Sequence, residues 1–528
     1  MIGSVVRWVV GLAVVGAAFV LVLVVVAGEG WFGSHEGPGR IRGPRQDAAA
    51  VQARSQASFA AARNIGVAKP KQILFGDLHV HTTVSFDAFM TSVPMMNGEG
   101  SHPQADACDF ARHCSALDFW SINDHAAALT KRNWDETVAS IRECNAIAGD
   151  PDNPDTVAFL GWEWTQVGTS PKDHWGHKNV VLRGLDDDEI PTRPIAAEST
   201  ADFFRRAVPG PLTVGLMPFV AGWAYNDLIA FNREMNATPR CADDVPVRDL
   251  PADCREYADD PGELFAKLDD WGFPSLVIPH GTTWGMYTPQ AASWDKQIAA
   301  RHRSPERQRL VEVYSGHGNS EELRAWIEID VDAQGRVSCP EPTHDYLPGC
   351  WRAGELVAER CLDAGESEDE CERRAAQARQ YYAEAGSAAG HLAVPGARPD
   401  EWLDAGQCRD CFQPAFNYRP RSSVQYMLAL RDFEGGDAHD GVDRFQFGFV
   451  ASSDTHTARA GTGYKELDRL RMTDSAMQSS TVRLGRPVGE RTAEDVKKKL
   501  GKVLGNGDVG SMNVKGRDLR AGIPRTIE

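Results

Sequence analysis

The stretch ILFGDLHVHT, residues 73–82, is a short apolar run that ends in two histidines spaced one residue apart. An apolar run of this length predicts a buried β-strand. Alternate side chains of a strand point to the same side, so we expect His79 and His81 to face one cavity. Two imidazoles placed in this way can bind a single metal ion. The stretch therefore predicts a core strand that carries metal ligands at its end.

The same pattern, an apolar run with a His, Asp or Glu at one end, returns along the chain. The further runs are LDFWSINDH (117–125), VAFLGWEWT (157–165), HKNVVL (177–182), SLVIPHG (275–281), LVEVYSGHG (310–318) and FQFGFVASSDTH (445–456). Stretches of helical character lie between them, such as residues 134–148 and 261–268. Alternating strands and helices predict a parallel sheet or barrel with helices outside, where functional groups gather at the carboxyl ends of the strands.

Taken together, the polar residues at these strand ends predict a metal centre. A lone His at a strand end is more often a hydrogen-bonded rim residue than a metal ligand. Here His79-Val80-His81 is accompanied by Asn-Asp-His, a Glu after an apolar run, Pro-His-Gly and Asp454-Thr455-His456, all on separate runs. Imidazoles and carboxylates in combination suit zinc, iron and manganese.

These motifs resemble those of the PHP superfamily of metallo-phosphoesterases, which is named after polymerase and histidinol phosphatase. The resemblance rests on DLHVHTTVSFDA (77–88), INDH (122–125), GWEWT (161–165), IPHG (278–281) and SSDTH (452–456). The chain looks more specifically like a large uncharacterised bacterial branch of that superfamily, in which EVYSGHGNSE (312–321) also occurs. The resemblance covers residues 73–466 apart from two insertions, and it implies a distorted seven-stranded β/α barrel.

Carried over residue by residue, the resemblance implies two or three divalent ions (zinc, manganese or iron). The first position would be held by His79, His81, Glu163 and Asp454. Glu163 would bridge to a second position, and the remaining ligands would be His177 and His280 for the second and Asp87, His125 and His456 for the third. Two assignments have alternatives, because the spacing at Asp87 differs by one residue from the common form and His174 lies three residues before His177. Asp124 is expected to orient a ligand imidazole.

Three further residues are candidates for catalysis, because each follows or lies within a ligand-bearing motif. Lys178, His317 and Arg459 are predicted to donate hydrogen bonds to the negative charge that develops on a phosphoryl group. His317 is also a candidate proton donor to the leaving oxygen. For Lys178 and Arg459 the alternative is a solvated charge at the rim of the site.

Residues 1–28 differ in composition from the rest of the chain. Residues 8–27 carry no charged or polar side chain, and as a helix they would span about 30 Å, the thickness of the bilayer hydrocarbon. We expect an uncleaved membrane anchor, with a signal peptide cleaved after Ala27 as the alternative. Residues 29–70 are expected to be a tether with a helix near residues 47–63. The arginines flanking the span would by themselves favour a cytoplasmic body.

The eleven cysteines favour the opposite side of the membrane. Eight of them fall in close pairs, which is typical of disulfides in an oxidising compartment: 241 with 254, 339 with 350, 361 with 371, and 408 with 411. Two of Cys108, Cys114 and Cys144 can also pair, leaving one free thiol. The alternative for Cys408 and Cys411, a redox motif or half a zinc site, lacks a second CxxC. The body is therefore expected in the periplasm or outside the cell.

Net charge and length complete the prediction. A net charge of −18 disfavours nucleic acid as a partner and leaves a small anionic ester bound through metal. The catalytic region is expected at residues 71–470, with insertions at about 185–265 and 330–420 and a tail at 471–528. The predicted function is metal-dependent hydrolysis of phosphate mono- or diesters. The alternatives are a hydrolase of a sulfate or phosphonate ester and a membrane-tethered binding protein without catalysis.

Overall fold

The computed structural model of the chain describes most residues between 2 and 462, and the described ranges are 2–67, 74–92, 101–168, 171–198, 210–223, 225–243, 245–280, 292–315, 318–319, 329–332, 334–344, 346–385, 390–397, 399–402, 405, 423–431, 444–462, 482–483 and 486–487. Three predictions fall outside these ranges: the role of His317, the pairing of Cys408 with Cys411, and nearly all of the tail. Within them the protein is a mixed α/β structure with one apolar helix at its N-terminus.

Side-chain caps fix the N-terminal ends of four of the described helices. Helix α8 (Pro261–Trp271), for example, follows Asp260, whose carboxylate accepts hydrogen bonds from the N–H groups of Gly262 and Glu263, and it stops at Gly272 in the left-handed region. The α-helices are α1 (Ile2–Gly28), α2 (Ala48–Asn64), α3 (Phe86–Ser92), α4 (Gln104–His113), α5 (Lys131–Ala146), α6 (Pro211–Ala221), α7 (Tyr225–Ala237), α8 (Pro261–Trp271), α9 (Gly349–Asp363), α10 (Glu368–Ala385) and α11 (Val424–Ala429). Short 3-10 helices are Val247–Asp249, Asp295–Gln297, Ala300–His302, Gly390–Ala393 and Pro399–Trp402.

The longer strands coincide with the apolar runs of the sequence. They are β1 (Gly76–Val80), β2 (Phe119–Ile122), β3 (Val157–Phe159), β4 (Gly161–Trp164), β5 (His177–Leu182), β6 (Ser275–His280), β7 (Leu310–Ser315) and β8 (Gly448–Ala451). Two-residue strands pair Gly149–Asp150 with Asn153–Pro154, Ile195–Ala196 with Glu256–Tyr257, Asp330–Val331 with Val337–Ser338, and Val482–Arg483 with Arg486–Pro487, and Gly318–Asn319 pairs with β7.

Parallel pairing brings the first and last ligand-bearing runs together. Strands β1, β2 and β3 form a parallel sheet in that order, and β7 pairs in parallel with β8. The segment after β8 then returns to β1, where Val80 bridges Thr455 and the N–H group of His81 donates to the carbonyl of Thr455 at 2.8 Å. The two ends of the predicted catalytic region therefore meet at the end of β1.

Strand β5 departs from the parallel arrangement that the sequence predicted. It runs antiparallel to both β4 and β6. Residues 165–176 connect β4 to β5, and the described part of this short connection contains no helix that could carry the chain back for parallel pairing. Because β5 is reversed, its first residue, His177, lies opposite the last residue of β6, His280. The reversal therefore places His177 at the end of the sheet where β4 and β6 finish.

Two apolar layers hold the strands in place. An inner cluster draws residues from seven strands, with Leu78, Val181 and Ile278 buried and Phe119, Phe159, Leu276, Leu310 and Val450 packed against them. The larger core lies between the strands and the helices, and in it Trp134 of α5 packs edge-on against Trp162 of β4 at 5.8 Å between ring centroids. Because apolar side chains cover both faces of the strands, polar groups are accommodated at the strand ends.

The segment between α1 and α2 is bound to the body along its length, unlike the tether that the sequence predicted. The N–H group of Ser34 donates to Asp227 at 2.7 Å, and His35 lies 2.8 Å from Glu136. Further along, the N–H group of Gln46 donates to Asp155 at 2.7 Å. The helix expected within this region is confirmed as α2, which begins after Asp47.

Three of the predicted disulfide pairs are present, a fourth disulfide joins two of the three cysteines whose pairing was left open, and together with the apolar helix they fit an exported domain. They join Cys108 to Cys144, Cys241 to Cys254, Cys339 to Cys350 and Cys361 to Cys371, and Cys114 is an exposed free thiol. The last two lie in the second predicted insertion, where α9 and α10 form a separate small core.

Removing the disulfide between Cys108 and Cys144 should destabilise the body more than removing the one between Cys241 and Cys254. The sequence separations of 36 and 13 residues correspond to losses of about 4 and about 3 kcal/mol in the free energy of unfolding. Denaturant titration of the paired Cys→Ser variants measures both losses. Cys114→Ser is the matched control and should leave the unfolding free energy unchanged; equal stability of all three variants would contradict this prediction.

Candidate metal centre

All nine candidate metal ligands named from the sequence lie together near the ends of β1, β4 and β6. His79 belongs to β1, Glu163 to β4 and His280 to β6, and all three side chains are buried. The other six candidates contribute to the same cluster: His81, Asp87, His125, His177, Asp454 and His456. The structure therefore brings all nine predicted metal ligands together.

The donor atoms of the first group, His79, His81, Glu163 and Asp454, lie close to one another. The Nε2 atoms of His79 and His81 lie 3.0 Å apart. Oε2 of Glu163 lies 3.4 and 3.2 Å from these two nitrogens, and Oδ1 of Asp454 lies 3.2 and 3.3 Å from them. Ligands about 2.0–2.1 Å from a tetrahedral zinc ion lie about 3.3 Å from one another. The measured separations match that value, so these residues fit a metal ion.

Glu163 also belongs to a second group. Its other oxygen, Oε1, lies 2.5 Å from Nδ1 of His177 and 3.5 Å from Nε2 of His280. Nε2 of His280 is buried and has no hydrogen-bond partner among the described residues. A buried nitrogen of this kind is costly unless something binds it. One carboxylate thus faces two sets of imidazoles, one with each oxygen, as a bridging ligand does.

A third group surrounds Asp87. Its Oδ2 atom lies 3.2 Å from Nε2 of His125 and 3.1 Å from Nε2 of His456. The ring of His456 stacks on that of His81, with centroids 4.4 Å apart, so this group adjoins the first. Asp87 and His177 were the two assignments with alternatives. His174 instead accepts a hydrogen bond from the N–H group of Gly168 at 3.3 Å.

The charges in the cluster compensate one another. Burial opposes protonation of His79, but the carboxylates of Asp454 and Glu312 outweigh it and hold the pKa of His79 well above its ordinary value. Burial likewise opposes ionisation of Glu163, yet His125 and His177 hold its pKa well below the usual range. The buried carboxylate of Glu163 is therefore ionised and requires positive charge beside it.

Individual imidazoles in the cluster differ in basicity. Burial lowers the pKa of His177 to about 4 despite the carboxylate of Glu163, so this ring is neutral at pH 7. His125 is also buried, but Glu163 and Asp87 raise its pKa to about 10. A neutral imidazole is the form that binds metal, and metal binding at His125 would therefore displace a proton.

Several polar side chains fix the ligands in position. Nδ1 of His79 lies 3.1 Å from a carboxylate oxygen of Glu312 on β7, and Nδ1 of His81 lies 2.9 Å from Oγ of Ser85. Ser85 in turn donates to Asp124 at 3.0 Å, so Asp124 orients His81 through a hydroxyl group. Carboxylates behind ligand imidazoles fix the ring orientation and raise its basicity. From the sequence, Glu312 was one of the polar residues of the apolar runs but had no assigned role, and Ser85 was missed.

Asp454 has a backbone conformation that is uncommon for a residue other than glycine. Its φ angle is 54°, in the left-handed region, which Asp and Asn tolerate better than other non-glycine residues. Asp77 clamps the neighbouring turn, because its buried carboxylate accepts hydrogen bonds from the N–H group of Ser453 at 3.0 Å and from its hydroxyl group. Strain at a ligand position, held by a buried clamp, is typical of a functional site.

The structure does not bring Lys178 to the cluster. In the pairing of β4 with β5, Glu163 stands opposite Asn179 and Trp164 opposite Lys178, so Lys178 points to the other face of the sheet. There its ammonium group lies 5.3 Å from the ring of Trp164 and donates to the carbonyl of Trp175 at 3.0 Å. Arg459 is half-buried three residues after His456, in the loop that leaves the cluster.

The fold and the site define a mixed α/β protein with buried His and Glu groups that could hold metal ions. A family model described as "Protein of unknown function (DUF3604)" matches residues 68–133. That stretch contains β1 and β2 and four of the nine candidate ligands, and it covers well under half of the chain. No curated protein and no solved structure matches the chain.

Replacing Glu163 by Gln should remove more metal than replacing any residue of the third group. Gln is neutral and cannot bridge two ions, so the first and second positions should both be lost in E163Q, whereas D87N should lose the third alone. Elemental analysis of metal-loaded, desalted protein counts the ions. E372Q, an exposed Glu→Gln change on α10, is the matched control; wild-type metal content in E163Q would contradict the bridge.

Lys178→Met should change how stability depends on pH. Burial, with a smaller contribution from Lys296, lowers the pKa of Lys178 to about 7 in the folded chain, against about 10.4 when unfolded. Between these values the unfolded chain holds a proton that the folded chain has released, so wild-type stability rises with pH. The melting temperature of K178M relative to wild type should therefore be highest below pH 7 and fall toward pH 10. If plots of melting temperature against pH run parallel for K178M and wild type, Lys178 does not titrate in this range.

Proposed function

We propose that this protein is a metal-dependent hydrolase of phosphate esters. The observation that carries the proposal is the position of Glu163, whose two oxygens face separate groups of buried imidazoles. Carboxylates that bridge two ions are the hallmark of hydrolases that clamp both the attacking and the leaving oxygen of an in-line displacement. The surrounding nitrogen and oxygen donors suit zinc, manganese or iron.

The fold supports membership of the PHP superfamily, with a distorted seven-stranded barrel. The inner apolar cluster draws side chains from seven of the eight longer strands, as the interior of a closed barrel does. The bridge between Val80 and Thr455 joins the last run to the first. Ligands at one rim of such a barrel leave the opposite rim for stability.

In this proposal the chain's own residues bind and orient the substrate. Bound divalent ions would supply an activated water and neutralise charge on the phosphoryl oxygens. Glu312 and Ser85 hold the rings of His79 and His81 in place. Arg459 would bind an anionic oxygen of the ester, and His317 would protonate the leaving oxygen.

We further propose that α1 anchors the protein in the inner membrane and that the body lies in the periplasm. The disulfides support an oxidising compartment. The substrate would be a small anionic ester rather than nucleic acid, because a net charge of −18 repels a long polyanion.

The purified full chain, loaded with manganese, zinc or iron, should hydrolyse aryl phosphate mono- or diesters, and chelation should abolish the activity. E163Q should reduce kcat by at least about 100-fold, the range typical of losing one positioned electrostatic group. E372Q should behave as wild type. D454N tests the other carboxylate of the first group, since Asn tolerates the backbone conformation at that position.

The same assay separates the alternatives. Faster turnover of aryl sulfates or phosphonates than of phosphates would show a hydrolase of another oxyanion ester. Inactivity of a chain that holds its full complement of ions would contradict hydrolysis as the function. Fewer than one bound ion per chain would favour a membrane-tethered binding protein.

A further inference from the structure

A second apolar helix packs against the end of α1. Helix α6 lies so close that a Cβ atom on Gly215 would stand 1.7 Å from the carbonyl oxygen of Val24, and one on Gly28 would stand 2.0 Å from that of Pro211. Any side chain at either glycine would force the helices apart. Val24 and Ala27 are buried in this contact, whereas residues 6–22 of α1 are exposed. Small residues at a close helix contact are typical of packing within membranes.

Helix α6 also presents an exposed apolar face. Leu212, Leu216, Phe219 and Trp223 follow one another at helical spacing and are between 47% and 61% exposed. No charged residue occurs from Gly210 to Asn226. Trp31 and Phe32, just beyond α1, are also exposed, and the ring of Phe32 lies beside this face, 6.1 Å from that of Trp223. A contiguous patch of this kind marks a contact with another apolar phase.

The position of the patch identifies that phase as the bilayer. Helix α1 is long and apolar enough to span a membrane from Val6 to Gly28, and α6 contacts only its last turns. The patch therefore lies at the depth where the span leaves the hydrocarbon, the level at which tryptophan is enriched. Charged groups begin directly above, where Arg233 donates to the carbonyl of Gly28 at 2.8 Å and lies 3.4 Å from Glu29.

We propose that α6, together with Trp31 and Phe32, enters the lipid interface beside α1 and fixes the body against the membrane surface. Leu212, Leu216, Phe219 and Trp223 contact acyl chains, while Gly215 faces α1. The segment bound along the body after α1 completes the attachment, so the metal centre is held at a set height and orientation above the lipid. This arrangement requires α1 to remain in the mature chain, because its removal would expose the packed side of α6 to water.

Photolabelling of the full chain in lipid nanodiscs tests this proposal. The probe is a phosphatidylcholine with a diazirine on its acyl chain, and the adducts are mapped by mass spectrometry. Peptides that cover Leu212–Trp223 should carry adducts at least about fivefold above those of the exposed helix α10, as α1 does. In the variant L212S/F219S the α6 labelling should fall toward the α10 level, with the melting temperature retained. L362S, an exposed Leu→Ser change on α9, should leave α6 labelling unchanged.

Three outcomes would overturn the proposal. The first is labelling of α6 at the α10 level while α1 is labelled. The second is a mature protein that begins after Ala27. The third is a dimer in the nanodisc whose α6 helices cross-link to each other, which would show that a second copy of the chain covers the patch.

Discussion

The arrangement of the candidate metal centre depends on one buried carboxylate, that of Glu163. The oxygens of Glu163 lie between 2.5 and 3.5 Å from nitrogens of five histidines, namely His79, His81, His125, His177 and His280. A buried anion without compensating charge destabilises a protein by several kcal/mol. The chain must therefore bring five imidazoles from four separate segments to one point, and this requirement explains why several apolar runs end or begin at one of these histidines.

Meeting that demand required one strand to reverse. Were β5 parallel to its neighbours, its first residue would lie at the opposite edge of the sheet, far from Glu163. The antiparallel register that pairs His177 with His280 solves this problem. The connection before His177 is too short for a helical crossover, but the prediction of parallel strands did not take its length into account. Side chains alternate between the two faces of a strand, so Lys178, which follows His177 on β5, points away from the cluster of candidate ligands.

Residues close in sequence, or repeated with a strand's period of two, were predictable. The strand runs, the pairs His79/His81 and Asp454/His456, and three disulfides between neighbouring cysteines follow from such local patterns, whereas the full set of nine candidate ligands came from the family resemblance. Contacts between distant segments were not predictable. Glu312 meets His79 across 233 residues, Asp77 meets Ser453 across 376, and α6, within the first predicted insertion, meets the N-terminal helix α1. These contacts depend on tertiary packing, which no local pattern encodes, and they decide how firmly the ligands are held.

Anomalous diffraction from crystals of the full chain grown with manganese tests the central claim most directly, because it locates ions without reference to activity. Two peaks should flank the carboxylate of Glu163, about 3.5–4 Å apart as in other two-metal sites, one beside His79 and His81 and one beside His177 and His280. A single peak away from Glu163, or none in the cluster, would contradict the account of Glu163 as a bridging ligand.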